Sequence, residues 1–597
     1  MELSVKIRVA DYLTQKLAEV SGNKLFMITG GMIMHLTDAV YKQKDTLDTY
    51  FFHHEQAATM AAEAYARYAK KIGVVYVTAG PAALNTLTGV VGAYVDRSPC
   101  IIVSGQSKVE QVHVTTPRQF SLQGFNTLPI FEQVTKFAVI LDDITQVKYN
   151  IEKAIFLASQ APFGPVWIEC PIDIQGAMFD PDDYDGFTPE QPAIRDSINI
   201  QQIIEELKKA KRPVILMGAG VQQANAVQEA HMIADTFGIP IVVTRMGMDI
   251  LDHEHVNFIG RPGTYGDRAG NFAVQNSDVL LVLGSRLSIG LIGHDYQSFA
   301  PNSKIILVEI DPNEFEKPSV TKAIKILGDV KEVMNLLIQN FHPYKEQYRK
   351  WLKKAQGWKQ NYPVDLPEYL NEKEGVNSYH FIRVFSEYLS PNDVIVTDTG
   401  SCFHVHAQAF KVKFGQRHII TGGLSTMGYS PASIGVAALA KDLHKNVYCI
   451  SGDGSIQMNL QEFQTITHYK LPIKTIILNN NGYLLIRHTQ NNFMEGRLFG
   501  ESRETGVSTP PMKKVAELYN IKYMSVSNLD EMEDKIKELI SYKGAVIFEV
   551  LTPSNQLLIP RVASKKLDDG QIISMPFDDM FPFLSRDEYE KNIQMDF

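Results

Sequence analysis

Cysteine is scarce in this sequence, with only four residues, and none of them forms a CxxC pair: Cys100, Cys170, Cys402 and Cys449. This argues against a disulfide framework and against a thiolate metal site. Positive charge is also not in excess, because 58 Lys and Arg stand against 67 Asp and Glu. A large nucleic-acid-binding protein usually carries a basic surplus, so we expect no nucleic-acid partner.

Long apolar runs are missing as well. No stretch reaches the roughly 18 consecutive apolar residues of a membrane span. The first twenty residues have the pattern of an amphipathic helix rather than of a signal peptide. We therefore expect a cytoplasmic protein without a membrane segment, whose 597 residues are enough for three or four domains.

Short apolar runs that alternate with amphipathic helical stretches are what the sequence does contain. This order predicts parallel sheets that are covered by helices on both faces. The alternation restarts twice, after a polar, proline-containing stretch at 179–197 and after a lysine-rich helical link at about 345–375. We predict α/β domains at 1–180, 195–345 and 375–555, and a C-terminal arm or lid at 556–597.

Two polar motifs follow buried strands in the last of these domains. Gly452-Asp453-Gly454 ends one strand, and Asn480 ends the next strand along the chain. Side chains at the carboxyl ends of parallel strands open onto one crevice. A carboxylate and an amide oxygen are ligands suited to Mg²⁺, and the glycines admit a diphosphate. Each motif alone would indicate only a turn or a loop end, but their order predicts a metal–diphosphate site.

This pair of motifs resembles the thiamine diphosphate motif. Five further segments resemble the catalytic subunits of acetolactate synthases, and the similarity runs from about residue 5 to 550: residues 26–40, 53–67, 78–106, 421–440 and 452–465. The resemblance implies three doubly wound parallel-sheet domains, namely a pyrimidine-binding, a central and a diphosphate-binding domain. It also implies a homodimer or homotetramer whose active sites are shared between subunits.

The resemblance assigns roles to individual residues. Glu55 falls where the family has the glutamate that acts beside the aminopyrimidine ring, and Gln123 and Gly31 fall at other active-site positions. His53 and His54 have a helix-start role as an equal alternative, and Met427 could simply be a core residue. The metal ligands implied are Asp453, Asn480 and the Gly482 carbonyl. The remaining implied cofactor contacts are Gly30, Pro81, Asn85, Gly400, Met427, Gly452, Gly454, Ser455 and Tyr483.

The middle of the chain keeps glycine-rich strand ends that can cradle a nucleotide diphosphate. Acetolactate synthases hold FAD there, so the resemblance implies FAD as a possible third cofactor, although a purely structural domain is the alternative. The residues in question are Gly218, Gly220, Arg261, Gly263, Gly284, Arg286, Asp311 and Asp329.

Two departures from the family concern the acceptor substrate. Arg286 is retained, but Gly290 stands where the family has a second arginine that contacts the acceptor carboxylate, and Thr489 replaces a tryptophan. Arg487 could compensate for the lost guanidinium. We therefore predict a carboligase that decarboxylates a 2-oxo acid such as pyruvate and passes the two-carbon unit to a carbonyl acceptor. That acceptor is a second 2-oxo acid or a different carbonyl compound such as a keto sugar.

Other functions are compatible with the same cofactor. They are a decarboxylase that does not couple its product, and a hydrolase that cleaves a C–C bond in a cyclic dione. A regulatory homologue without activity is disfavoured, because Glu55, Asp453 and Asn480 are all present.

Overall fold

Three parallel six-stranded sheets dominate the computed structural model, which describes residues 6–595 apart from 115, 191–197, 345 and 567–571. The parts of the chain built on these sheets are called here the first, central and third domains. Their strands are almost continuous apolar runs, such as Gly73–Val77, in which all residues are buried. Runs of this kind form the interior of sheets that are covered on both faces, as the sequence predicts.

The first and third sheets share one strand order. In both, the strands numbered along the chain lie in the order 2-1-3-4-6-5. The first sheet is, in spatial order, Asp48–Phe51, Lys24–Met27, Gly73–Val77, Cys100–Gln106, Val166–Pro171 and Phe137–Ile140. The third is Arg417–Ile420, Val394–Thr397, Val447–Gly452, Ile473–Asn479, Val546–Leu551 and Lys522–Val526. In such a sheet the ligand crevice lies between strands 1 and 3, where the winding reverses.

The central sheet has a different order, 3-2-1-4-5-6. Its strands are Phe258–Gly260, Ile241–Val243, Pro213–Met217, Val279–Leu283, Lys304–Glu309 and Ile324–Leu327. This is the order of dinucleotide-binding folds, and the crevice lies between strands 1 and 4. The glycines that follow those two strands are Gly218 and Gly284, both of which the sequence assigns to a nucleotide site.

Helices cover both faces of the sheets. Those of the first domain are Val9–Ser21, Met34–Lys42, Glu55–Ala69, Pro81–Asn85, Leu87–Val95, Val109–Val112, Leu128–Glu132, Val147–Ser159 and Ile172–Gly176. Those of the central domain are Ile200–Lys209, Ala219–Gln223, Val227–Phe237, Arg268–Gln275, Ile289–Ile292, Val330–Asn340 and Arg349–Asn361. The rest are Ser378–Tyr388, Ser401–Ala409, Ala432–Ala440, Glu462–His468, Leu484–Phe493, Met512–Leu518, Leu529–Ser541 and Arg586–Ile593.

The first and third domains are packed through two alanine-rich helices, Glu55–Ala69 and Ala432–Ala440. At their crossing, a Cβ on Gly435 would lie 1.8 Å from the carbonyl oxygen of Ala61. The backbones therefore touch, and only glycine fits at this point. Beside the crossing, the Tyr429 hydroxyl donates to the buried Glu63 carboxylate. This contact fixes the end of the loop that carries Met427 relative to the first domain.

The C-terminal segment packs on the central domain. Asn271 donates to the carbonyl oxygen of Phe577 (2.8 Å), and Arg268 donates to that of Met580 (3.1 Å). Asp578 and Asp579 are buried there. The described part of the segment is therefore held against the central domain. All four cysteines are buried and unpaired. Among the described residues, no helix is both long enough and apolar enough to cross a membrane.

Candidate active site

Asp453 and Asn480 directly follow two neighbouring buried strands of the third sheet, and Asp453 follows the strand that borders the crevice. Asp453 is 1% exposed and Asn480 is 4% exposed. Oδ2 of Asp453 accepts the Gly482 N–H at 2.8 Å, and Nδ2 of Asn480 donates to Ser401 Oγ at 3.3 Å. The remaining oxygen of each side chain, Oδ1, is buried and has no hydrogen-bond partner.

Two buried, unpaired oxygens from neighbouring strands fit a hard divalent cation. A buried polar atom without a partner costs about 1–3 kcal/mol, so native proteins rarely keep two of them at neighbouring strand ends without a ligand. Burial also raises the pKa of Asp453 to about 6, because water is excluded from its charged form. A bound cation would remove both penalties, and Mg²⁺ prefers such oxygen ligands.

Glycines shape the space beside these oxygens. Cβ atoms on Gly452 and Gly400 would meet no atom within 4 Å, so both positions border open space. Gly482 has φ +132°, and a Cβ there would lie 2.0 Å from the Glu501 carbonyl oxygen. Gly454 lies against the Tyr483 ring. The Ser455 hydroxyl accepts the Gly428 N–H at 2.9 Å, which brings the neighbouring Met427 to the same group.

A buried ion pair braces the loop that follows Asn480. Arg487 Nε donates to Glu501 Oε2 at 2.6 Å, and the rest of the guanidinium donates to the carbonyl oxygens of Asn480 (3.3 Å), Asn481 (3.0 Å) and Ser554. Arg487 is therefore buried and uses four of its five N–H donors within the protein. The expectation that it compensates for a lost acceptor arginine is wrong. Sequence reasoning missed the brace because Glu501 lies fourteen residues away in an irregular segment.

Glu55 and Asn85 come together in the first domain. Asn85 Nδ2 donates to Glu55 Oε2 at 2.9 Å. Glu55 begins a long helix whose cap is His54, whose ring Nδ1 accepts the Gln56 N–H. His54 thus has the helix-start role that the sequence left as an alternative, and His53 is exposed. The positive end of this helix favours the carboxylate at its first residue.

The other predicted site residues of the first domain lie around the crevice of the first sheet. Gly30 lies against the Thr78 side chain, and a Cβ on Gly80 would lie 2.6 Å from the carbonyl oxygen of Gln123. Gln123 therefore sits next to Pro81, and it has the left-handed φ of 59°. Gly31, Pro81, Asn85 and Gln123 are exposed, and Leu122 beside them is 80% exposed. Within the described residues, no hydrogen bond or ion pair joins this first-domain group to the Asp453 group.

A cavity of about 380 Å³ opens at the crevice of the central sheet. It is lined by four of the predicted nucleotide-binding residues: Gly220, Gly284, Arg286 and Asp329. Gly218 lies just behind them, because its Cβ would be 2.4 Å from the Gly284 carbonyl oxygen. The glycines bring these strand ends close together, and the volume is that of a small-molecule site. These residues fit a nucleotide diphosphate.

Three other predicted residues have different surroundings. Arg261 is buried, and its Nη1 donates to the carbonyl oxygens of Ala407 and Phe410 in the third domain (both 3.1 Å). Asp311 is paired with Arg97 of the first domain at 2.8 Å. The Gly263 N–H donates to Asn271 Oδ1. Their neighbours Pro262 and Glu309 line the cavity instead.

Sequence profiles of three domain families match the chain. They are the N-terminal thiamine pyrophosphate (TPP) binding domain over residues 7–129, the thiamine pyrophosphate enzyme central domain over 200–337, and the C-terminal TPP binding domain over 398–550. The chain is therefore a member of the thiamine pyrophosphate enzymes. Its three α/β domains are those of that class, as the sequence motifs predict.

Similarity to curated proteins defines the branch. The chain is 32% identical over 568 residues to the acetolactate synthase large subunit of Porphyra purpurea, covering 92% of each chain. It is 31% identical to the probable acetolactate synthase large subunit of Methanocaldococcus jannaschii (91% of this chain and 92% of the relative covered). It is 29% identical to the acetolactate synthase large subunit of Lactococcus lactis (95% and 96% covered). Within its class, this chain is an enzyme of acetolactate synthase type.

Proposed function

We propose that this enzyme is a Mg²⁺-dependent carboligase that decarboxylates pyruvate and transfers the remaining two-carbon unit to a carbonyl acceptor. The bond between C1 and C2 of pyruvate breaks with loss of carbon dioxide. A new bond forms between C2 and the acceptor's carbonyl carbon, and the acceptor oxygen takes up one proton. The main structural support is the pair of buried, unpaired oxygens on Asp453 and Asn480.

The Asp453 group of the third domain would hold the cofactor's metal. Asp453, Asn480 and the Gly482 carbonyl are the ligands proposed for Mg²⁺, which would in turn bind the diphosphate. Gly400, Gly452, Gly454, Ser455 and Tyr483 border the space where the diphosphate would lie. When bound, thiamine diphosphate supplies the nucleophilic carbon and stores the electron pair that decarboxylation releases.

The first-domain group would carry out proton transfer during the reaction. Glu55 holds and returns a proton at one carboxyl oxygen, while Asn85 donates to Oε2 and keeps the carboxyl in one orientation. Gln123, exposed beside Pro81, carries an amide that can orient a substrate oxygen, and Gly31 leaves room for the reacting carbon. Met427 would support the cofactor's bent shape from the third domain.

A second copy of the chain would complete the site. The first-domain group is largely exposed in one chain, and large apolar side chains beside it face solvent: Phe120 is 62% and Leu122 is 80% exposed. Exposed apolar patches of this kind are typical of subunit contacts. A homodimer or homotetramer in which Glu55 of one subunit faces Asp453 of the other would bury them.

FAD would bind in the cavity of the central domain. The dinucleotide-type strand order, the touching strand-end glycines and the Arg286 guanidinium that lines the cavity favour a flavin nucleotide over an empty structural domain. The absorbance spectrum of the purified protein tests this, because bound flavin absorbs near 450 nm. A protein that neither carries flavin nor takes it up on incubation would contradict the proposal.

The acceptor defines two versions of the reaction. Coupling of two pyruvates gives acetolactate, the product in the relatives' name. Gly290 and Thr489, which lack the family's arginine and tryptophan, favour a different carbonyl acceptor such as a keto sugar. Incubation with pyruvate alone distinguishes them by product analysis. Rapid acetolactate formation supports the first version, whereas coupling only after a second carbonyl compound is added supports the other. Free aldehyde as the sole product, or no consumption of pyruvate while a supplied cyclic dione is opened to an acid, would refute the carboligase proposal.

A further inference from the structure

Arg245 lies in the cavity where the central domain meets the third domain. It follows the short strand Ile241–Val243 and lines the same cavity as Gly220 and Gly284. Phe403, Gly422 and Gly423 of the third domain line this cavity as well. Phe403 belongs to the helix that begins after Gly400, so the cavity adjoins the group proposed to hold thiamine diphosphate.

The guanidinium of Arg245 is oriented but not neutralised. It lies over the Phe403 ring, 4.7 Å from its centroid, and Nη1 is 3.1 Å from His404 Nδ1. Nη2 is 3.4 Å from the Gly290 carbonyl oxygen. In the described part of the chain, no carboxylate lies within ion-pair distance of Arg245. Burial lowers the pKa of Arg245 to about 10 and that of His404 to about 3. At neutral pH, the arginine is therefore charged and the histidine is not.

The acidic side chains that line the cavity already accept hydrogen bonds from other groups. Glu309 accepts from Arg97, and Asp96 accepts the N–H groups of Gly422 and Gly423. Asp329 caps the helix that begins at Val330. An uncompensated guanidinium that stacks on an aromatic ring keeps a planar fork of donors for an anion. Arg245 therefore has the chemistry of an anion-binding residue.

Gly290 makes room for this side chain. A Cβ on residue 290 would lie 3.1 Å from Arg245 Nη2, closer than most real contacts. A longer side chain at 290 would compete with the guanidinium for the same space. From the sequence, Gly290 removes the family's second arginine, and Arg487 was the side chain that could replace its guanidinium. The structure instead brings one there from a different strand end.

We propose that Arg245 binds the anionic group of the acceptor substrate, either the carboxylate of a 2-oxo acid or the phosphate of a phosphorylated ketone. This inference rests on the carboligase function proposed above. The two sources share one chemistry, a group of anionic oxygens that takes two parallel hydrogen bonds from the fork. An acceptor without a negative charge would gain nothing from Arg245.

The test uses the thiamine diphosphate- and Mg²⁺-loaded protein and three acceptor probes. These are 2-oxobutyrate, dihydroxyacetone phosphate and dihydroxyacetone, of which the last two differ only by the phosphate. Binding is measured by calorimetry without pyruvate, and coupling is measured with pyruvate present. The variants are Arg245→Met, Arg245→Lys and the double variant Arg245→Leu/Gly290→Arg, which moves the guanidinium to residue 290. Arg286→Met is the comparison variant in the same cavity.

We expect the wild type to bind at least one of the anionic probes and not dihydroxyacetone. Arg245→Met should weaken that binding about 10- to 100-fold, the loss expected for hydrogen bonds to a charged group. Arg245→Lys and the double variant should recover part of it. Flavin content should fall in Arg286→Met and stay normal in Arg245→Met.

Three results would overturn the proposal. They are equal binding of the anionic probes by wild type and Arg245→Met, no binding of either anionic probe by the wild type, and a loss of flavin rather than of acceptor binding in Arg245→Met. Failure of the carboligase function itself would look different. In that case, pyruvate would not be consumed or would give free aldehyde, whatever residue 245 is.

Discussion

The ion pair between Arg487 and Glu501 offers a sharp test of how the metal loop is held. Glu501→Gln keeps the shape of the side chain and one acceptor oxygen but removes the charge. Arg487 is 4% and Glu501 is 1% exposed, so the variant leaves a buried, uncompensated guanidinium. Breaking a buried pair in this way costs about 3–5 kcal/mol. For a domain of this size, each kcal/mol lowers the unfolding midpoint by roughly 2–4 °C.

A second effect should separate positioning from mere stability. Arg487 donates to the carbonyl oxygens of Asn480 and Asn481, so its displacement would move the loop that carries the proposed ligands. Loss of groups that orient metal ligands typically costs 10- to 100-fold in metal affinity. We expect Glu501→Gln to raise the Mg²⁺ concentration for half-maximal activity by about that factor, at a temperature well below the unfolding midpoint.

The measurement is a Mg²⁺ titration of pyruvate consumption together with thermal unfolding. Glu538→Gln is the matched control, because its partner Lys535 lies at 3.1 Å on the surface, where both side chains are more than a third exposed. Such a pair contributes about 0–1 kcal/mol. A lowered unfolding midpoint with an unchanged Mg²⁺ titration would show that the brace only stabilises the fold. No change in either would refute the argument.

Three further predictions follow from the structure. Glu55→Gln should retain thiamine diphosphate binding, measured by calorimetry, but lower turnover by about 100-fold or more, because a positioned acid–base group contributes at least that; undiminished turnover would disprove its role. Gly435→Ala should destabilise the protein by about 1–3 kcal/mol in thermal unfolding, because the added Cβ would meet the Ala61 carbonyl oxygen. Gly357→Ala is the control: its Cβ would have no atom within 4 Å, so it should be neutral or stabilising. Burial raises the pKa of Asp578 to about 6, so its carboxyl binds a proton more tightly in the folded C-terminal segment than in the unfolded one. The stability of this segment should therefore fall as the pH rises from about 4 to 6 and then level off. Over this pH range the loss of stability is worth about 3 kcal/mol, and it can be measured by hydrogen exchange of the helix Arg586–Ile593. Asp578→Asn should remove this pH dependence, and an unchanged pH dependence would exclude Asp578 as its source.

The strand-end motifs were predictable because they obey local rules. An apolar run followed by Gly-Asp-Gly or Asn-Asn marks a strand and its carboxyl end, and parallel pairing brings neighbouring ends together. The sequence accordingly predicts that Asp453 and Asn480 are neighbours. The pairing of Glu55 with Asn85 was harder to foresee, because the two residues are thirty positions apart and a whole strand lies between them.

The long-range contacts that charged side chains make were not predictable. Nothing local shows that Arg487 is held by Glu501, or that Arg245 reaches the carbonyl oxygen of Gly290. A charged residue two positions after a buried strand, as in the segment Thr244-Arg245-Met246, was the one available sign. Strand order was likewise hidden, because all three domains have the same alternation of strands and helices although the central sheet is wound differently.

The location of the Glu55 group and the Asp453 group on different domains has a consequence for mixed populations of subunits. In a dimer with shared sites, a copy carrying Glu55→Gln and a copy carrying Asp453→Ala would form one site with both defects and one with none. Two inactive preparations should therefore complement each other once their subunits exchange. Random pairing makes half of the dimers mixed, each with one intact site of two, so about a quarter of wild-type activity would return.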